Sequence, residues 1–148
     1  MIGSLAAMSD STPGEPEDEA GPGSEQVRLF VSDGLIRVGR DATMRQVAQR
    51  IAAETVGALV VTEGDQVHGI VSERDLVLAI AAGKDLDSTT AADLDSRRVV
   101  ACTPETTVHA AAVLMMENYV RHLLVDDHTG MVGMVSARDL LGAYAAAA

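Results

Sequence analysis

Gly69-Ile70-Val71-Ser72-Glu73-Arg74-Asp75-Leu76 and Gly133-Met134-Val135-Ser136-Ala137-Arg138-Asp139-Leu140 are nearly one stretch written twice, 64 positions apart. In both copies an apolar pair runs into Ser-x-Arg-Asp-Leu, and an Ala-rich tract follows. The pair reads as the end of a strand, and Ser72 or Ser136 as the start of a helix. Ser with an acid three residues on has the form of a capping box, in which each side chain satisfies an orphan amide of the helix start. A helix start also carries a partial positive charge, which suits an anion. Ser72, Asp75, Ser136 and Asp139 therefore either cap helices only, or cap them and hold a ligand there.

Working outward, the 64-residue register holds without a gap. Thr43 pairs with Thr107, Ala48 with Ala112, Val56 with Val120, Leu59 with Leu123 and Val61 with Val125. A fixed period over a whole unit is the mark of an internal duplication. In the first copy, residues 35–38 read as a strand. Thr43 and Gln46 have capping-box form, with Met44, Val47, Ala48 and Ile51 at helical spacing behind them. Residues 58–61 form an apolar run, as for a strand buried on both faces. Residues 63–66 make a turn, 67–71 a strand, and the Ser72 helix stops near Gly83. In the second copy the strands fall at 99–102, 123–125 and 131–135. A helix over 107–118 shows Val108, Ala111, Ala112, Met115 and Tyr119 on its apolar face. Each copy reads β-α-β-β-α. The first two strands are parallel through a right-handed crossover, and the next pair is an antiparallel hairpin.

The expected organisation is a disordered acidic tail over 1–26, a first repeat over 27–83, a linker over 84–98 and a second repeat over 99–148. Pro13, Pro16, Pro22 and the acids Glu15 to Glu19 give the tail its character. Within the linker, Thr90 to Leu94 can form a short helical turn. The chain of 148 residues is large enough for a real core. One Phe, two Tyr and no Trp mean that the core is aliphatic, and they argue against base stacking of single-stranded nucleic acid. A net charge of -11 repels a phosphate backbone. Cys102 is the only cysteine, so no internal disulfide forms. The first residues lack the basic and apolar regions of a signal peptide, and no stretch has the length of a membrane span. The expectation is a cytoplasmic protein with no nucleic acid or membrane partner.

The doubled β-α-β-β-α plan, each copy closed by Gly-x-Val-Ser-x-Arg-Asp-Leu, resembles the CBS domain, and two in tandem resemble a Bateman module. Arg121-His122-Leu123-Leu124-Val125-Asp126 is also similar to the family's second-strand signature, with Leu124 where Pro is common. The resemblance covers Leu35 to Tyr144. It implies an α/β (α+β) fold in which two stacked CBS-like repeats form one module. It implies an adenosine nucleotide, AMP-like or ATP-like, in the cleft between the repeats, with the Ser-x-x-Asp acids on the ribose hydroxyls. It further implies basic residues at the second strand meeting phosphate, and a homodimeric disc that signals to a protein partner.

The resemblance also implies that Thr103-Pro104 borders the cleft, so the candidate ligand residues are Ser72, Asp75, Thr103, Arg121, His122, Ser136 and Asp139. Arg121 and His122 are costly at a buried strand edge without a partner; the alternative is pairing with Asp126, Asp127 or a partner subunit. Their repeat mates are Gly57 and Ala58, and those of Thr103-Pro104 are Gly39-Arg40, so the two half-sites are unequal. The four histidines have no histidine at their repeat mates, and no metal-ligand spacing appears. No Gly-x-Ser-x-Gly elbow surrounds Ser72. The reading is a regulatory module and not an enzyme, with no required cofactor. The alternative is a ligand-independent homodimeric interaction module.

Overall fold

The computed structural model of the protein describes residues 21–31, 35–95 and 99–147. The first 20 positions of the expected tail lie outside them. The described chain forms two compact units, one over Leu35–Val99 and one that joins the N-terminal segment to Val100–Ala148.

The first unit runs β1 (Arg37–Gly39), α1 (Met44–Glu54), β2 (Ala58–Glu63), β3 (Gln66–Ser72), α2 (Glu73–Ala81) and α3 (Ala91–Leu94). β1 lies parallel to β2, with Arg37 opposite Val60, and β3 lies antiparallel to β2. The second unit repeats the plan with β4 (Ala101–Cys102), α4 (Val108–Asn118), β5 (His122–Asp126), β6 (Met131–Ser136) and α5 (Ala137–Ala147). Again the outer pair is parallel and the hairpin antiparallel. Even the irregularities repeat. The hairpin register shifts between Val61 and Thr62, and at their mates Val125 and Asp126. The apolar central strands are as buried as their composition requires: Ala58 to Val61 and Leu123 to Val125 are all buried. In each unit α1 or α4 lays its apolar face on the sheet. Met44, Val47 and Ile51 pack with Leu59, Val61 and Val71 in one core. Val108, Ala111 and Met115 pack with Leu123, Val125 and Val135 in the other.

Tyr119 departs from expectation. It is not on the apolar face of α4 but is 95% exposed. It ends the helix in the left-handed region, φ 54°, as its mate Thr55 does at φ 55°. A non-glycine residue there is strained by about 1–2 kcal/mol. The next amides offset that strain, Val56 donating to the Ile51 carbonyl and Val120 to that of Met115. Both helices thus close on a left-handed non-glycine residue, Thr55 and Tyr119.

The compact units divide the chain differently from the sequence repeats. Residues 23–26 were expected to bury nothing, yet Gly23 is buried. Val27, expected to open the first repeat, is 0% exposed in the core of the second unit. The connection at 84–98 likewise contains Ala91, 0% exposed in the core of the first unit. These two segments are repeat mates. In the second unit Gln26 bridges Thr107, Val27 donates to the Thr106 carbonyl, Arg28 to that of Pro104, and Val108 to that of Glu25. In the first unit Thr90 bridges Thr43, Ala91 donates to the Ala42 carbonyl, Ala92 to that of Arg40, and Met44 to that of Thr89. Every pair is offset by 64. The reason is the helix start: α1 and α4 each leave orphan amides, and a passing extended segment supplies carbonyls. Each unit is therefore closed by the cap segment that precedes the other repeat in sequence.

Candidate functional site

Each motif serine ends a strand and begins a helix. Asp75 Oδ2 accepts from the Ser72 amide at 2.7 Å and from Ser72 Oγ at 3.0 Å, while the Asp75 amide donates to Ser72 Oγ at 3.3 Å. In the second unit the same three bonds join Ser136 and Asp139 at 2.8, 2.9 and 3.1 Å. Capping accounts for these bonds in full, at about 1 kcal/mol for each cap. All the carboxylate bonds fall on Oδ2, and both side chains are only part-buried. Oδ1 of each acid has no hydrogen bond among the described residues and is available as an acceptor.

The backbone brings the basic pair to the same place. The first amide of α5, Ala137, donates to the Arg121 carbonyl at 2.8 Å, and His122 stands opposite Ser136 in the hairpin. Arg121, His122, Ser136 and Asp139 therefore share one strand-to-helix junction. The matching junction of the first unit has Gly57, Ala58, Ser72 and Asp75, with Glu73 donating to the Gly57 carbonyl at 3.0 Å. It thus lacks both basic residues and carries an extra acid, Glu73, where the second unit has Ala137.

Arg121 differs from the expectation of a cation at a buried edge. It is exposed, so its charge stays solvated. It forms no ion pair among the described residues. The acids proposed as its partners are used elsewhere. Asp126 Oδ1 accepts from the His128 amide, and Asp127 accepts from the Thr129 amide and hydroxyl in the hairpin turn. Those Thr129 bonds hold the Asp127 carboxyl below its ordinary range.

Thr103 is not brought to this junction within its unit. It follows β4, whose Cys102 pairs with Val125, so it lies level with Asp126 at the far end of β5. Four residues of strand separate it from His122, about 13 Å. Its hydroxyl lies 3.2 Å from that of Thr106, in a turn that also receives the Thr103 amide. In the first unit, Arg40 at the place of Pro104 reaches Glu63 at 3.1 Å.

Among the described residues, no three His, Cys, Asp or Glu side chains converge as a metal site. Burial pushes the Cys102 thiol up to about 11, with the Thr106 contact opposing it, so little thiolate forms at neutral pH. No helix of the described chain is long and apolar enough to cross a membrane.

One pair was missed by sequence reasoning. His68 Nδ1 lies 2.5 Å from Asp95 Oδ2, with side chains 11% and 0% exposed. Asp95 Oδ1 is buried without a partner among the described residues. The repeat mates are Val132 and Val31. Two valines exchanged together for a His and an Asp were the available signal.

Comparison with known proteins agrees with this architecture. A mitochondrial CBS domain-containing protein of Arabidopsis thaliana is 38% identical over 109 residues, covering 70% of this chain and 53% of the relative. An uncharacterized Methanopyrus kandleri protein is 33% identical over 102 residues, covering 67% and 52%. The chain thus spans about half the length of these curated relatives. Among solved structures, a CBS domain protein from Pyrobaculum aerophilum complexed with AMP superposes with a TM-score of 0.70 at 28% identity, covering 83% of this chain and all of the other. The CBS domain profile itself matches residues 27–82 and 91–146, again offset by 64 and again taking in the caps. The chain belongs to the CBS domain family and carries two such domains in tandem.

Proposed function

We propose that the protein is a non-enzymatic regulatory module that senses an adenosine nucleotide of AMP or ATP type. The observation that carries this reading is the junction of the second unit. There a carboxylate with an open Oδ1, the Asp139 side chain, stands on the same strand-to-helix turn as Arg121 and His122. A carboxylate accepts well from a ribose diol, and a guanidinium or imidazolium suits phosphate. The AMP complex of the Pyrobaculum aerophilum relative supports the ligand class. In the first unit Ser72 and Asp75 offer the ribose acceptor without the cations, so that junction binds phosphate less well. Thr103 stands about 13 Å along β5 from this junction, so in this reading it would meet the opposite end of the nucleotide from its own turn.

The test is calorimetry with AMP and with adenosine. Asp139→Ala is expected to abolish tight binding, while Asp75→Ala leaves most of it. Arg121→Ala is expected to weaken AMP more than adenosine. Equal losses from the two Asp variants, with Arg121→Ala blind to phosphate, would remove the asymmetric reading. No binding by the unmodified protein would leave capping as the motif's whole role.

The second reading is an interaction module, and one observation favours association of some kind. Val77, Leu78 and Ile80 on α2 and Leu141 on α5 are 55–69% exposed. Small neighbours, Ala81 and Gly142, allow close helix approach. A homodimer through these helices fits both readings, and a monomer by light scattering at micromolar concentration would remove it.

A further inference from the structure

The two caps make matching backbone bonds but differ in how they are attached. The cap at residues 85–95 follows α2 of the unit it closes after a few residues, so chain continuity holds it close. Side chains add to this, through Arg45 with Asp87 at 2.7 Å and His68 with Asp95. The cap at residues 23–31 is not continuous with the unit it closes. Its covalent connection runs onward to β1, in the first unit. It is fastened by backbone bonds, by Val27 in the core, and by Phe30 and Val31, which are partly buried against that core. No ion pair holds it among the described residues; the mates of Arg45 and Asp87 are His109 and Gly23.

This strap has a strict shape requirement. Gly23 sits at φ +87°, and a Cβ there would lie 2.7 Å from Tyr144 Oη and 3.1 Å from His109 Cβ. Its carbonyl accepts from the His109 amide at 3.0 Å. The strap also braces the candidate ligand residue Thr103. Val27 donates to the Thr106 carbonyl at 2.8 Å and Arg28 to the Pro104 carbonyl at 3.2 Å, so both strands of the Thr103–Thr106 turn lean on it. A segment that is anchored outside its unit and seated by one glycine can open without unfolding the sheet beneath it.

We propose that residues 23–30 form an opening strap of the second unit, and that its closure sets the Thr103 turn and thereby nucleotide affinity. The coupling to affinity rests on the adenosine-nucleotide reading given above. The strap and the ligand then favour one another reciprocally, as linkage requires.

The experiment is amide hydrogen exchange on the full chain and on Gly23→Ala. In the unmodified chain, the amides of Val27, Arg28, Val108 and His109 are expected to exchange through a smaller opening than those of Ala91, Ala92, Met44 and Arg45. In Gly23→Ala the first set is expected to accelerate by about tenfold or more, while the second set keeps its rates. Equal acceleration of both sets, or equal protection in the unmodified chain, overturns the strap. The unmodified chain decides this even if Gly23→Ala fails to fold. For the coupling, AMP is titrated into both proteins. A loss of about tenfold in affinity for Gly23→Ala, with slower strap exchange when AMP is bound, is the expected outcome. Equal AMP affinity in the two proteins overturns the coupling alone. AMP binding to neither removes the nucleotide reading and the coupling together, while the exchange pattern still decides the strap.

Discussion

In the first unit the cap reaches the sheet through a buried histidine and carboxylate; in the second, valines stand at the corresponding positions, 31 and 132. The backbone bonds around them hardly differ. Thr89 and Glu25 feed the same helix amide, and Ala91 and Val27 fill the same place in their cores. The difference teaches that the main chain of the repeat is fixed by helix ends that need acceptors, whereas the side-chain fastening is free to change. Replacing a buried, hydrogen-bonded polar pair by two apolar residues is often close to neutral in stability, so drift between the two meets little opposition. Drift through a single exchange is another matter, because it strands one polar partner.

The largest test of this comparison removes a cap. A chain begun at Leu35 loses Val27, which is wholly buried, and the carbonyls that serve Val108 and His109. Burial of Val27 alone contributes about 1.5–3 kcal/mol, and the exposed helix start adds to that. A fall in melting temperature of about 10 °C or more is expected by circular dichroism. An unchanged melting curve would return residues 21–31 to the status of a tail.

The next test breaks the polar fastening. His68→Ala leaves the buried Asp95 carboxylate without a partner among the described residues, and a loss of about 3–5 kcal/mol is expected in denaturant unfolding. The double change His68→Val with Asp95→Val copies the second unit and should fall within about 1 kcal/mol of the parent. If the double variant is as weak as the single one, the two fastenings are not interchangeable.

Smaller and equal effects are expected where the units agree. Ser72→Ala and Ser136→Ala should each cost about 1 kcal/mol, since both caps make the same three bonds. A clear inequality in unfolding free energy would show that one junction does more than cap.

The smallest effect lies in the exposed pair Arg45 and Asp87. The hydrogen bond from Arg45 holds the Asp87 carboxyl below its ordinary range. The folded state thus prefers the ionised form. Its contribution is complete above the unfolded carboxylate value and disappears as pH falls through the lower folded value. Asp87→Asn should therefore differ from the parent near neutral pH, converge with it under strong acid, and converge again at high salt. A difference that persists in acid would point to packing and not charge.

Much of this was legible beforehand. The 64-residue register gave the strands, helices and hairpins, because apolar runs such as Ala58 to Val61 leave few alternatives. Thr43, Ser72 and Thr107 marked their helix starts, and all three accept from the amide three residues on. The juxtaposition of Arg121 and His122 with Asp139 was not legible, since it depends on which residue faces Ser136 across the hairpin. Tyr119 was misplaced because spacing cannot show that a helix ends in a left-handed residue. The role of the caps was not legible, for a compositional reason. Gly21 to Gln26 and Lys84 to Thr90 look like loops, and their value lies in carbonyls, which every sequence has.

The exchange of caps makes the two halves of this chain mutually dependent. Cut between Lys84 and Asp85, each half would carry away the closing piece of its counterpart. Each sheet would then stand open at its helix start, whereas the two halves mixed together would each supply what the other lacks. Once joined in tandem, neither copy can be deleted without leaving the other open, which gives the duplication a physical reason to persist.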